Sequence, residues 1–191
     1  TNESILLEYY MDVLGNESTK VLDLSYLNSM YHSGVGNPID HAIMACSTMP
    51  GRQIYYDNLI KEYRKKDEIP FDYSRKFVST LVVDSHDEGQ LIVKGDITQV
   101  VSRCTSVEYH DEVLPINEEV KQSVSSVVDE MLEEGMKVIA VARKPLGNKT
   151  QITLDDEQNM ILMGYLAFFD APKKTAKASI NALKRLKVTP K

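Results

Sequence analysis

One segment in the middle of the chain has residue types that could hold an aromatic base and a phosphate chain. Phe71 lies between Pro70 and Asp72, polar surroundings that suit an exposed ring. Lys94 ends an apolar run and is followed by Gly95, which lets the backbone approach a ligand without a Cβ atom. An aromatic face can stack on a base, and a lysine can contact phosphate oxygens. The ordinary alternative is that Phe71 packs in the core and Lys94 is solvated.

These residues depend on a predicted β-hairpin for their positions. Two apolar, β-branched runs at residues 77–83 and 90–94 are joined by a polar connection that contains Gly89. This pattern is typical of two antiparallel strands joined by a turn. Phe71 then precedes the first strand and Lys94 ends the second, so one element carries both the ring and the cation.

Four sequence features, one of which contains Phe71, Lys94 and Gly95, follow one another in a specific order. They are Asn28-Ser29 with Ser33-Gly34, then Gly36-Asn37-Pro38-Ile39-Asp40, then Asp67-Glu68-Ile69-Pro70-Phe71-Asp72 with Lys94-Gly95, and finally residues 164–173 (GYLAFFDAPK). In this order and spacing they resemble the nucleotide-binding domain of P-type cation ATPases. Within that family the likeness is greatest to the bacterial magnesium-transporting branch.

The resemblance implies a set of ligand contacts. The nucleotide-binding residues are then Asp40, Phe71, Arg75, Lys94, Gly95 and Lys137, with ATP and its Mg²⁺ as the ligands. Adenine would stack on Phe71, and Asp40 matches the family's acceptor for the adenine amino group, which is usually Glu. Lys94 and Lys137 would point toward the phosphates. Lys137 replaces an Arg of the family, which keeps the charge but loses the bidentate geometry.

The resemblance also predicts how the chain divides. Residues 1–169 would form the nucleotide-binding domain with its hinge strands, and residues 170–191 the hinge and the start of the phosphorylation domain. Asp170, Pro172 and Lys173 match the family's Asp-Pro-Pro-Lys hinge. Thr1 matches the last residue of the family's Asp-Lys-Thr-Gly-Thr-Leu-Thr motif, so the phosphorylatable Asp is expected before it.

The function that this likeness implies is ATP binding at the cytoplasmic face of the cell membrane. The chain would be the cytoplasmic domain of a P-type ATPase that couples ATP hydrolysis to cation transport, and by likeness the cation is Mg²⁺. Its partners would be the phosphorylation and transmembrane domains of the same polypeptide. The isolated chain is expected to be a monomer that binds ATP without hydrolysing it. The alternative is a non-catalytic α/β module that binds a protein and no nucleotide.

Composition narrows the class further. The 191 residues can bury a core, and a net charge of -6 argues against nucleic acid as the main partner. Cys46 and Cys104 lie in apolar settings, which suits reduced thiols better than a disulfide framework. No apolar run approaches the length that spans a membrane.

Periodicity predicts an α+β fold, with an antiparallel sheet around the hairpin and around strands near residues 137–142 and 160–168. Helices flank this sheet, and Ser18, Asn37 and Asn117 are their predicted N-caps. Two smaller predictions concern the helix ends. Residues 53–66 are expected to be helical up to a cationic end, and Cys104 is expected within a helix that Asp96 caps.

Other kinds of chemistry find little support. His86-Asp87-Glu88 and His110-Asp111-Glu112 repeat a ligand-rich triplet, but both fall in polar turns without paired Cys or helical His spacing. Solvated loops explain them better than a metal site. The sequence contains neither a Gly-x-x-x-x-Gly-Lys-Ser/Thr loop nor a Gly-x-Ser-x-Gly elbow.

Overall fold

The computed structural model describes residues 5–34 and 36–170. The strands in this part of the chain are β1 (Ile5–Met11), β2 (Arg64–Ile69), β3 (Phe77–Val83), β4 (Gly89–Asp96), β5 (Cys104–Tyr109), β6 (Glu112–Pro115), β7 (Lys137–Gly147) and β8 (Met160–Asp170). The α-helices are α1 (Thr19–Tyr31), α2 (Pro38–Met44), α3 (Gln53–Glu62), α4 (Ile97–Val101) and α5 (Glu118–Glu133). Two short 3₁₀ turns lie at Ala45–Thr48 and Leu154–Asp156.

The strands form one mixed sheet in the order β2-β3-β4-β7-β8-β5-β6, and β1 also pairs with β8. Neighbouring strands are antiparallel except for β5 and β8, which run parallel. The predicted hairpin is present, and Phe77 pairs with Gly95 at its open end. The expectation of an α+β fold is confirmed, and the predicted antiparallel sheet is found except for the parallel pair of β5 and β8.

Helices cover both faces of the sheet. Successive strand residues point to opposite sides, so each face has its own apolar side chains to bury. In β7, Ala140 and Ala142 belong to the core that also contains residues of α4 and α5. Ile139 and Val141 belong to a second core with residues of α1, α2 and α3. The central strands are therefore buried on both sides, and polar groups that lie within them must find partners inside the protein.

The predicted helix starts are confirmed in atomic detail. Asn37 Oδ1 accepts a hydrogen bond from the Asp40 amide at 2.9 Å, and Asn117 Oδ1 accepts one from Val120 at 2.8 Å. Ser18 Oγ accepts from the Val21 amide at 3.3 Å. Each bond satisfies a backbone donor that has no partner within its helix.

Two predictions about helix ends are wrong. Helix α3 ends at Glu62, and the cationic run that begins at Arg64 forms edge strand β2, paired with β3. Charged side chains suit an edge strand because they discourage pairing with further chains. Cys104 begins β5 instead of lying in α4, because its backbone pairs with Met160 of β8. Both errors arise from pairing with distant segments.

Candidate functional site

A cavity of about 570 Å³ opens where β3, β4 and β7 meet α2. Its volume lies within the roughly 300–1,000 Å³ that is usual for small-molecule sites. Five of the six predicted binding residues line it: Asp40, Phe71, Lys94, Gly95 and Lys137. The fold thus brings together side chains from four separate parts of the sequence.

Two aromatic rings form the rim of this cavity. Phe71 is 51% exposed, and Tyr73, which sequence reasoning missed, is 87% exposed. Their ring centroids are 5.5 Å apart and the planes meet at 88°. In an edge-to-face pair the edge of one ring packs against one face of the other, so a ring face stays open to a ligand. Phe71 is therefore available for stacking, and the alternative that it packs in the core does not hold.

The wall of the cavity contains a buried ion pair. Lys94 Nζ lies 3.0 Å from Asp40 Oδ1, and the two side chains are 4% and 5% exposed. Burial alone would raise the pKa of Asp40, but the His32 hydrogen bond and the charge of Lys94 lower it below its ordinary value. Burial lowers the pKa of Lys94, and Asp40 opposes that shift. Lys94 is thus neither solvated nor a free cation.

Asn28 of α1 holds Lys94 from the other side. Its Oδ1 accepts a hydrogen bond from Lys94 Nζ at 2.6 Å. Its Nδ2 donates to the carbonyl oxygen of Ile92 at 2.9 Å, and more weakly to Val78 and Thr80 at 3.3 Å. The wall of the cavity is therefore bonded directly to the centre of the β3–β4 hairpin.

Gly95 is required by the packing of the hairpin. A Cβ atom at this position would lie 2.4 Å from the carbonyl oxygen of Lys76 and 2.5 Å from Phe77 Cβ. Such approaches are closer than van der Waals contact permits, so a side chain would push the two strands apart. Packing against the neighbouring strand is thus a reason for Gly95 that the sequence did not show, and room for a ligand stays a prediction.

Two exposed lysines bring positive charge to the rim. Lys137 begins β7, and Lys76, which lay outside the predicted set of binding residues, has a left-handed φ of 64°. Both line the cavity and are exposed. Asp96 is a second carboxylate in the lining, but its Oδ2 accepts a hydrogen bond from the Gln99 amide at 3.0 Å and caps α4. The cap directs that carboxylate to the backbone of its own helix.

Arg75 does not line the cavity. Its guanidinium is buried and donates through Nε and Nη2 to Glu157 at 2.9 Å each. Its Nη1 donates to the carbonyl oxygen of Pro70 at 2.8 Å and to Asp72 Oδ2 at 2.7 Å. Arg75 therefore holds both neighbours of Phe71, and the structure gives it a supporting contact instead of the predicted place beside the ligand.

The predicted hinge is described only at its first residue. Asp170 ends β8, where it pairs with Ile5 of β1. Pro172 and Lys173 lie outside the described residues.

Both ligand-rich triplets occur at strand connections, with left-handed φ values at Asp87, His110 and Asp111. Within the described ranges, no helix has the length and apolar character needed to cross a membrane.

Comparison with known families bears on the cavity directly. A model of the family described as "P-type ATPase, cytoplasmic domain N" matches residues 11–175, a range that contains every residue lining the cavity. The chain belongs to this family. The resemblance read from the sequence motifs is confirmed, and the cavity lies within a P-type ATPase N domain.

Curated relatives of this N domain are cation transporters. The magnesium-transporting ATPase, P-type 1, of Escherichia coli strain K12 is 32% identical over 192 residues, and that of Salmonella typhimurium strain 14028s is 34% identical over 196. Both matches cover 100% of this chain and 21% of the relative. A calcium-transporting ATPase of Listeria monocytogenes is 29% identical over 152 residues, covering 79% of this chain and 17% of the relative. The chain thus spans about a fifth of the length of its magnesium-transporting relatives.

Proposed function

We propose that the cavity binds ATP and that this N domain presents the nucleotide to a phosphoacceptor aspartate elsewhere in a longer polypeptide. The observation that carries the proposal is the lining of one cavity by an exposed aromatic ring, a buried carboxylate and three lysines. A ligand that is aromatic at one end and polyanionic at the other matches that combination. Membership of the P-type ATPase N domain family supports the same ligand.

In this proposal adenine stacks on Phe71 and presents its amino group to Asp40. Half of the Phe71 surface is already exposed, so binding does not require the ring to leave a packed core. Asp40 is held as an anion by its neighbours, so it accepts hydrogen bonds and donates none. The Asp40 carboxylate is one methylene shorter than the Glu usual in the family, but it is fixed in place by its hydrogen bonds.

The phosphates lie toward the lysines. Lys76 and Lys137 are exposed and supply mobile positive charge at the rim. Lys94 is already paired with Asp40, so its larger effect is to neutralise a carboxylate that would otherwise repel the phosphates. We infer that the two rim lysines make the direct phosphate contacts and that Lys94 contributes through its charge.

Mg²⁺ enters with the nucleotide in this proposal. In residues 5–34 and 36–170, no group of three or more His, Cys, Asp or Glu side chains could hold a metal ion. A magnesium ion normally keeps several waters and is shared with substrate phosphates, so it needs no complete protein cage. When bound it neutralises phosphate charge, while the aromatic rim and the Asp40 wall hold the adenosine end.

The relatives, and no residue of this chain, support a choice of transported ion. Magnesium-transporting ATPases match it over its whole length, and we propose that the parent protein moves Mg²⁺ across the membrane with the cavity on the cytoplasmic side. The phosphorylation and transmembrane parts of the same polypeptide are then its partners. The proposed boundary between this domain and the phosphorylation domain lies at residues 169 and 170.

Calorimetric titration with MgATP tests the binding site. Loss of base stacking typically costs about 1–3 kcal/mol, so Phe71→Ala should weaken ATP binding roughly tenfold or more. Phe71→Leu keeps an apolar side chain without the aromatic face and should also weaken it. Ile54→Ala is the control, because Ile54 is a 75% exposed apolar residue outside the cavity.

The pattern across the three variants is decisive. Equal affinity of wild type and Phe71→Ala would remove Phe71 from the site. Absence of nucleotide binding by the wild-type chain would contradict the proposal and favour a protein-interaction module. An equal loss in Ile54→Ala would show that the effect comes from surface changes in general.

A further inference from the structure

His32 contacts Asp40, although no sequence motif assigned His32 to the site. Its side chain is 9% exposed and lines the cavity. The ring Nε2 lies 2.7 Å from Asp40 Oδ2. The other ring nitrogen, Nδ1, lies 3.1 Å from the backbone nitrogen of Gly34. Both nitrogens therefore have a defined partner.

These two contacts determine which nitrogen carries the proton of the neutral ring. A backbone N–H can only donate, so Gly34 makes Nδ1 an acceptor. The proton of neutral His32 is then on Nε2, where it is donated to Asp40 Oδ2. A backbone bond two residues away thus orients the imidazole toward the carboxylate.

The acceptor positions of Asp40 can be counted from its contacts. An ionised carboxylate offers roughly four acceptor positions, two on each oxygen. Ser29 Oγ at 2.7 Å and Lys94 Nζ at 3.0 Å both contact Oδ1, and His32 contacts Oδ2. One acceptor position remains on Oδ2, and Asp40 belongs to the lining of the cavity.

We propose that His32 is a positioning residue that holds Asp40 with one acceptor facing the ligand and thereby sets selectivity for the base. This inference rests on the proposed ATP site. A fixed acceptor favours a base that carries an amino group at its edge over one that carries a carbonyl oxygen there, because two acceptors repel. Without His32, Oδ2 has two open positions, and the carboxylate is held only through Oδ1 by Ser29 and Lys94.

The experiment compares ATP with ITP, which differs in having a carbonyl oxygen in place of the adenine amino group. Both nucleotides are titrated into the full 191-residue wild-type chain, His32→Leu and His32→Gln. His32→Leu should lower the ratio of ITP Kd to ATP Kd about fivefold, the size of one hydrogen bond. His32→Gln keeps an N–H donor and should restore most of the ratio.

A second readout requires no nucleotide and no folded variant. Long-range ¹H–¹⁵N correlation spectra of the neutral wild-type imidazole should show the Nε2–H tautomer of His32. The Nδ1–H tautomer would overturn the assignment. ATP binding with an unchanged selectivity ratio in His32→Leu would overturn the role of His32 alone. Failure of the wild type to bind either nucleotide would overturn the proposed function and this inference with it.

Discussion

Lys94 Nζ lies 3.0 Å from Asp40 Oδ1, and neither side chain is more than 5% exposed. The two residues come from β4 and α2, so their ion pair joins the central sheet to the helix that borders the cavity. A buried charge is tolerated only when it is paired and hydrogen-bonded. Asn28, Ser29 and His32 supply those additional bonds. The cavity wall and the folding core therefore share the same charged groups.

Removing one member of this pair should be more costly than removing both. Lys94→Met leaves the Asp40 charge buried, and Asp40→Asn leaves the Lys94 charge buried. Each single variant should lose about 3–5 kcal/mol of unfolding free energy, and the double variant should lose much less than their sum. Urea unfolding at pH 7 measures all four proteins. Additive losses would show that the two charges do not stabilise each other.

The Asp40 carboxylate gives stability a pH dependence of definite sign. Burial opposes the shift, but His32 and Lys94 lower its pKa below the ordinary 3.8. A carboxyl with a lowered folded pKa stabilises the fold above its unfolded pKa, and this contribution is lost as pH falls through the folded pKa. The excess stability over Asp40→Asn should be constant from pH 7 to about pH 5 and shrink at lower pH. A difference that grows on acidification would contradict the assignment.

Glu157 should prove far more important than an exposed carboxylate in a similar ion pair. It is fully buried and accepts two hydrogen bonds from Arg75, which also bonds Pro70 and Asp72 on either side of Phe71. Glu157→Gln should cost about 3 kcal/mol in urea unfolding because the Arg75 charge loses its buried partner.

An exposed ion pair provides the matched control for Glu157. Asp87→Asn breaks the Arg64–Asp87 pair, whose side chains are 56% and 75% exposed, and should cost less than about 1 kcal/mol. Weaker ATP binding by Glu157→Gln would also show that Arg75 supports Phe71. Similar stability losses in the two variants would contradict the structural role of Glu157.

The isolated chain should bind MgATP without turning it over. Phosphoryl transfer requires an in-line nucleophile and metal ions that bridge the reacting phosphate oxygens. The proposed aspartyl nucleophile lies elsewhere in the polypeptide. A phosphate-release assay with excess Mg²⁺, beside calorimetry on the same preparation, measures both properties. Release that disappears in Phe71→Ala would require a catalytic centre within this chain.

Local signals predicted the parts of the fold that depend on neighbouring residues. Asn37 and Asn117 were recognisable as caps because a cap bonds an amide three residues away. Strand β2 was missed because its partner β3 determines it, and the cations at Arg64 and Lys65 are equally common at a helix end. Pairing with distant strands overrode the local pattern.

The site shows the same division between local and distant effects. Phe71 was predicted to be exposed because its sequence neighbours are polar, and it is exposed. Burial of Lys94 with Asp40 could not be predicted, since 54 residues separate them and only the assembled sheet and helices bring them together. His32 carries no motif, and its position beside Asp40 depends on the backbone of Gly34.

Asn28 bonds both the hairpin and Lys94. The exposed rim and the buried wall of the cavity therefore differ in how freely their residues can be changed by protein engineering. Exposed rim residues such as Tyr73 and Lys137 can be exchanged to tune affinity or to accept an altered nucleotide without repacking the interior. Lys94, in the buried wall, cannot be exchanged in this way, because the Asn28 amide group that holds it also bonds two neighbouring strands. A library aimed at new ligands should therefore vary the rim and keep the wall constant.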